Sequence, residues 1–248
     1  GDAVVVARGV CWNTAGAPTV SDTYTMDGTN VGIFTSQISN LVPNTQYYVR
    51  AYATDAKGVT SYGEEVTFTT LEKNANGHTY VDLGLPSGLL WATCNIGATS
   101  PEEYGDYFAW GETSPKEEYT EENSLTYGKQ MSDILGNAQY DAATANWGGD
   151  WRMPTYDELD ELRIKCTWEW TTIDGMNGYK ITGPNGTTLF LPYSGYCSEG
   201  KYPGGGTGHS WSSTSSAYNA YKLVYSWNGY YVFDDLRCFG FTIRAVHP

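Results

Sequence analysis

Over residues 4–70 the apolar positions fall in short runs that alternate with polar ones, the period of half-buried β-strands. The runs are 4–12, 19–25, 31–38, 47–54 and 65–70. Turn chemistry separates them at Asn13-Thr14-Ala15-Gly16, Asp27-Gly28, Pro43-Asn44 and Lys57-Gly58. In the fourth run Tyr47, Val49, Ala51 and Ala53 share one face, while Tyr48, Arg50 and Tyr52 share the other. Regular short strands of this kind predict a β-sandwich.

The polar, aperiodic segment 71–77 reads as a linker, which divides the chain into 1–70 and 78–248. Beyond it helix signals are few. Ser100-Pro101-Glu102-Glu103 offers an N-cap, a proline at the first helical position and a capping glutamate, predicting a short helix. Thr155-Tyr156-Asp157-Glu158 repeats that logic, and Leu159, Leu162 and Cys166 continue it as one apolar stripe. Asp157, Glu158, Asp160 and Glu161 crowd its N-terminal half, where the helix dipole favours carboxylates. Two hairpins follow. One joins 179–182 to 187–191 through Gly183-Pro184-Asn185-Gly186, and the other joins 221–227 to 230–233 through Asn228-Gly229. A closing strand, 239–246, alternates Phe239, Phe241, Ile243 and Ala245 with Gly240, Thr242, Arg244 and Val246. The second region is thus α+β, with few helices and several hairpins.

Charge changes the picture of partners. Lysines and arginines number 14 against 28 acids, a net charge of -14, so the basic stripe a nucleic-acid binder needs is missing. No run approaches the roughly 20 apolar residues of a membrane span. Eight acids and one base, Lys116, lie within 101–122, which reads as a solvated face; the ordered spacing of a calcium loop is missing there. The 29 glycines, 21 tyrosines and 9 tryptophans suit an extracellular β-protein better than a cytosolic helical enzyme.

Catalytic constellations are scarce. Cys11, Cys94, Cys166, Cys197 and Cys238 form no C-x-x-C; they read as buried small side chains, with a Cys94–Cys166 bridge as the alternative. His78, His209 and His247 make no H-E-x-x-H, and no G-x-S-x-G occurs. Gly204-Gly205-Gly206-Thr207-Gly208 lacks the lysine and following helix of a phosphate cradle. Asp234 and Asp235, as strand neighbours, face opposite ways and would not flank one glycosidic bond. A carboxylate pair drawn from distant parts of the chain stays open.

Two resemblances sharpen this reading. Leu41-x-Pro43-x-Thr45-x-Tyr47, with Tyr47-Tyr48-Val49-Arg50-Ala51-Tyr52-Ala53 and Val66-Thr67-Phe68-Thr69-Thr70, resembles the tyrosine corner and closing strands of fibronectin type III-like modules. That fold has seven strands against five runs here, so the module is expected to lack its first strands. The second set is Val81-Asp82-Leu83-Gly84-Leu85-Pro86-Ser87-Gly88-Leu89-Leu90-Trp91-Ala92-Thr93, Tyr104-Gly105-Asp106-Tyr107-Phe108-Ala109-Trp110-Gly111-Glu112, Trp151-Arg152-Met153-Pro154-Thr155, Trp211-Ser212-Ser213 and Arg244-Ala245-Val246. Together these resemble the Fibrobacter succinogenes major paralogous domain of bacterial surface proteins, similar in turn to the C-type lectin-like fold of formylglycine-generating enzymes. The resemblance implies that fold and a bacterial cell-surface location, anchored through an upstream segment. Two departures bear on chemistry. The enzyme relative's closely spaced cysteine pair is missing. So is a calcium-lectin motif, for which Trp227-Asn228-Gly229 is the nearest approach, and Gly229 lacks the oxygen ligand. No cofactor is expected, and calcium has no complete motif.

The candidate site lies near the C-terminus. Ten aromatics fall within residues 209–241, interleaved with Asn, Ser, Asp and Arg, the mixture found in adaptable paratopes. The segment also resembles the variable region of retroelement-diversified proteins. The expected ligand-binding residues are Tyr218, Asn219, Tyr221, Tyr225, Trp227, Asn228, Tyr230, Tyr231, Asp234, Asp235 and Arg237. Their expected partner is a glycan or protein of a host or neighbouring cell. The expectation is a non-enzymatic surface-binding protein. An enzyme (formylglycine-generating-like or a carbohydrate hydrolase) and a structural stalk are the alternatives.

Overall fold

The computed structural model describes residues 4–39, 41, 45–70, 72–73, 76–199, 201–202 and 206–248, with backbone alone at 72–73 and 201–202. The chain is mainly β and divides into two compact units, Gly1–Lys73 and Asn74–Pro248. The division falls inside the expected linker, where Glu72–Lys73 forms a two-residue strand, β5.

In the first unit β1 (Val5–Asn13), β2 (Thr23–Tyr24), β3 (Gln46–Asp55) and β4 (Thr60–Thr69) form one antiparallel sheet in the order β2-β1-β3-β4. The β3–β4 turn is tied by Asp55, whose carboxylate accepts from the backbone of Lys57 and Val59 at 2.9 Å each. Trp12, Tyr47 and Val49 are buried on one face beneath Ile38 and Leu41. Among the described residues this is one sheet, not two. The expected strand 31–38 does not form and 19–25 shrinks to β2. Gly28 and Gly32 take φ of +113° and +116°, and the Arg8 guanidinium, from β1, donates to the carbonyls of Asn30 and Gly32 that a neighbouring strand would otherwise use. Residues 42–44 of the tyrosine-corner motif lie outside the described residues.

The second unit contains β6 (Thr79–Asp82), β7 (Leu90–Ala92), α1 (Ala142–Trp147), α2 (Tyr156–Lys165), β8 (Thr167–Ile173), β9 (Met176–Thr182), β10 (Thr188–Pro192), β11 (Tyr196–Cys197), β12 (Lys201–Tyr202), β13 (Gly208–Ser216), β14 (Asn219–Ser226), β15 (Gly229–Leu236) and β16 (Val246–His247). β7 lies between β6 and β16, with Trp91 opposite both Val81 and Val246. One meander runs β10-β9-β8 and another β13-β14-β15. Two large apolar clusters and a smaller one of Tyr107, Ala109, Tyr119 and Cys197 lie in the unit. Of the large ones, Trp110, Trp151, Trp211, Phe108 and Phe241 belong to one, and Trp91, Leu159, Leu162, Ile181, Leu223 and Tyr225 to the other.

Helix α2 forms where its capping box predicts. The Thr155 hydroxyl accepts from Glu158 N at 3.2 Å, Glu158 accepts from Thr155 N at 2.8 Å, and Arg152 grips the same carboxylate through two nitrogens. Leu159 and Leu162 are buried, and Cys166, the C-cap, packs against the same cluster. The expected helix at 100–103 is only a turn. Glu103 does cap it, accepting from Thr99 N at 2.6 Å, but the chain reverses at Gly105 (φ +73°), where a Cβ would lie 2.3 Å from the Ile96 carbonyl oxygen. Helix α1 had no apolar stripe to announce it. It is nucleated by Asp141, a buried N-cap that accepts from the backbone of Thr144, Met153 and Gly136.

The closing segment differs from a half-exposed strand. Phe241, Thr242, Ile243, Arg244, Ala245 and Val246 are all buried, because it threads between the clusters through single bridges such as Phe241–Phe108 and Thr242–Ser210 before β16. All five thiols are free, so the Cys94–Cys166 bridge is not made. Cys166 packs against the α2 cluster, its thiol pushed up to about 11 by burial, while Cys94 sits beside Arg244.

Candidate functional site: the C-terminal hairpin

The β14–β15 hairpin forms, with its turn shifted by one residue from the expected position. Ser226 pairs with Gly229, so the turn is Trp227-Asn228 and Gly229, at φ +152°, opens β15. Trp227 therefore leaves the ladder and is 72% exposed. At the far end the β13–β14 turn holds Ala217 at φ +49°, fixed by Arg237 Nη2 donating to its carbonyl at 2.9 Å, and this turn presents Tyr218 at 60% exposure.

Strand alternation sorts the remaining residues. Tyr221, Leu223, Tyr225, Tyr230 and Val232 face the α2 layer, where Tyr221 packs edge-on against Tyr156 and Tyr230 stacks on Trp168 at 4.3 Å. Tyr225 is 1% exposed, with its hydroxyl donating to the Pro192 carbonyl at 2.8 Å and its pKa pushed up to about 12 by burial. Glycine at 208 makes room for that ring, since a Cβ there would meet it at 2.1 Å. On the opposite face of β15 stand Tyr231 and Phe233, 59% and 45% exposed. Their i, i+2 spacing sets them about 7 Å apart along the strand.

Beneath Phe233 lies a polar group that sequence reasoning missed. Buried Lys222 donates to Asp235 at 2.5 Å, lies 3.0 Å from His209 Nδ1, and sits 4.3 Å from the ring centre of Phe241 and 5.1 Å from that of Phe233. Burial lowers the pKa of both bases, and the Lys222 charge adds to the effect on His209, which falls to about 3. The imidazole is therefore neutral and the ammonium is held by Asp235. An alternating pattern with a lysine at 222 gives no sign of this, because only the sheet on one side and Phe241 on the other close the space.

The eleven expected residues thus separate. Tyr218, Trp227, Asn228 and Tyr231 reach solvent; Asn219, Tyr221, Tyr230, Asp234 and Asp235 are half-buried. Tyr225 and Arg237 do not belong to a ligand face. Arg237 is buried over Trp110 at 4.3 Å and donates to the carbonyls of Asn219, Lys129 and Ala217. It builds the scaffold because five fixed donors suit converging carbonyls. Phe233 joins the exposed set, and its position two residues beyond Tyr231 was the available signal. Asp234 and Asp235 do face opposite ways, the first accepting from Asn219 and the second from Lys222.

Among the described residues no three His, Cys, Asp or Glu side chains are placed to hold a metal ion, and no helix is long and apolar enough to cross a membrane. Residues 204 and 205 of the glycine run lie outside the described residues. Searched against protein-family models, curated proteins and solved structures, the chain gives no match. The functional reading therefore rests on the chemistry of the site itself.

Proposed function

We propose that the chain is a non-enzymatic binding protein of a bacterial cell surface, whose second unit, with a C-type lectin-like fold, displays a ligand face on the β14–β15 hairpin. The first unit acts as a fibronectin type III-like spacer. The observation that carries this reading is the outward set Trp227, Tyr231 and Phe233, held on a hairpin whose other face is locked into a core, with Tyr218 exposed on the β13–β14 turn that precedes it. Rigid aromatic side chains on a fixed backbone give contact area at low entropy cost, and their faces suit sugar rings or a protein surface. A structural shaft gains nothing from exposing four large rings. The motif segments of the surface-domain resemblance also support the fold, since Trp91, Trp110, Trp151 and Trp211 are all core residues of one unit.

The test is binding to a glycan array and to intact partner cells with the triple variant Trp227→Ala, Tyr231→Ala, Phe233→Ala. Loss of at least about tenfold in affinity, with unchanged thermal unfolding, is the expected result. Unaltered binding removes these residues from the site.

A further inference from the structure

The free N–H and C=O groups of an edge strand can template another chain, and proteins commonly blunt such edges. Most edges of this molecule are blunted. Strands β2, β5, β12 and β16 are two residues long. Exposed carboxylates stand on β4 at Glu64 and Glu65 and on β8 at Glu169. Strand β10 is largely buried and ends in Pro192, and β13 is bridged to the closing segment through Ser210 and Thr242. Among the described residues β15 is the exception. Its register with β14 runs from Asn219–Leu236 to Ser226–Gly229 without a bulge. Both of its carboxylates are turned back onto β14, Asp234 accepting from Asn219 Nδ2 at 3.0 Å and Asp235 from Lys222 Nζ at 2.5 Å. What the strand presents outward is Tyr231 and Phe233.

The turn fixes which backbone groups are free. Ser226 and Gly229 close a two-residue loop as a hydrogen-bonded pair, and such pairs alternate with non-bonded ones along an antiparallel ladder. Tyr231 and Phe233 therefore bond to β14, while Tyr230, Val232 and Asp234 aim their N–H and C=O groups at the open edge. The other side of β14 has the matching phase, since Ser216 and Asn219 close the two-residue turn from β13. Among the described residues no other backbone group pairs with Tyr230, Val232 or Asp234 on that edge.

We propose that an extended segment of a partner polypeptide adds to β15 as a further strand. Its backbone pairs with Tyr230, Val232 and Asp234, and its alternate side chains lie beside Tyr231 and Phe233. This inference rests on the hairpin as ligand face and names the ligand as a polypeptide. Donors and acceptors repeating at every second residue match another peptide backbone, whereas the hydroxyls of a sugar have no such period. A second copy of this chain is opposed by the net charge of -14 that each copy carries. The same charge favours a segment with basic flanks.

Linear peptides of about ten residues are selected from a displayed random library against the whole chain, and the tightest is synthesised. Amide hydrogen exchange is then followed by NMR. In the free chain the amides of Tyr230, Val232 and Asp234 exchange fast, while those of Tyr231 and Phe233 exchange slowly. Bound peptide is expected to slow the edge amides at least about tenfold. N-methylation of alternate peptide residues should weaken binding at least about tenfold in one frame and hardly at all in the other. Strand addition is overturned by edge amides already slow in the free chain, or by no peptide that slows them. It is equally overturned by N-methyl frames of equal effect, or by slowing that grows with protein concentration alone, the mark of a second copy. A glycan whose binding falls in the variant Trp227→Ala, Tyr231→Ala, Phe233→Ala without slowing these amides keeps the hairpin as ligand face and overturns strand addition. Peptide affinity unchanged in that variant, with the edge amides still slowed, keeps strand addition and removes the rings from the site.

Discussion

Tyr225 and Trp227 are two residues apart on one hairpin, and the molecule uses them in opposite ways. The first is sealed against α2 and the β8–β10 meander, with its hydroxyl satisfied by a backbone carbonyl; the second stands in solvent at the turn. The same division runs along β15, where Tyr230 stacks on Trp168 while Tyr231 and Phe233 face outward over the buried Lys222. An aromatic-rich segment is thus one scaffold and one display surface sharing a backbone. On the function proposed above, stability belongs to the first set and recognition to the second, which makes the two separable by mutation.

The largest effect is expected inside. Tyr225→Ala removes a sealed ring and its hydrogen bond, and loss of about 3–5 kcal/mol in urea unfolding is expected. A cost below about 1 kcal/mol would mean that Tyr225 is not the anchor described.

Acid supplies the next test. Folded His209 titrates at about 3 against an ordinary 6.5, so it stays neutral while an unfolded imidazole takes up a proton. The unfolded state binds more protons throughout that window, and stability falls as the pH drops from 6.5 towards 3. The expected loss is up to roughly 4 kcal/mol. His209→Gln should flatten this part of the curve of unfolding free energy against pH; an unchanged slope would place the imidazole in water.

Smaller again is the α2 cap. Thr155→Ala takes away the acceptor for Glu158 N and should cost about 1 kcal/mol, read as a shift in urea midpoint with unchanged slope. The smallest effect sharpens the comparison most. Trp227→Ala should leave stability within about 0.5 kcal/mol while weakening ligand binding. A clear loss of stability would show that this indole packs where the hairpin geometry leaves it free.

Much of the local structure was legible along the chain. The α2 capping box, the Gly183–Gly186 turn between β9 and β10, and the long strands β1 and β3 follow from short-range signals that need few distant contacts. The departures come where pairing or a side chain overrides a local signal. Residues 31–38 have a strand's composition, yet Arg8 on β1 claims the carbonyls of Asn30 and Gly32 where that run begins. Asn228-Gly229 is the favoured turn pair, yet Ser226 pairs with Gly229 and moves the turn to Trp227-Asn228. Helix α1 depends on a buried aspartate that also binds the distant Met153. For residues 31–38 and for α1 a partner elsewhere in the chain outweighs a local preference of about 1 kcal/mol or less, whereas the hairpin turn moves through the adjacent Ser226–Gly229 pairing.

The amino-acid pattern by itself determined a β-rich chain with a hairpin at its aromatic C-terminus, because alternation and turn residues act over a few positions. It also determined the net charge of -14. Only the tertiary structure decided which rings are interior, and that Arg237 and Lys222 are scaffold rather than surface. The reason is geometric: alternation assigns each residue to a face, but whether that face meets water depends on what packs over it, and here that covering comes from segments as distant as α2 and the 106–119 loop.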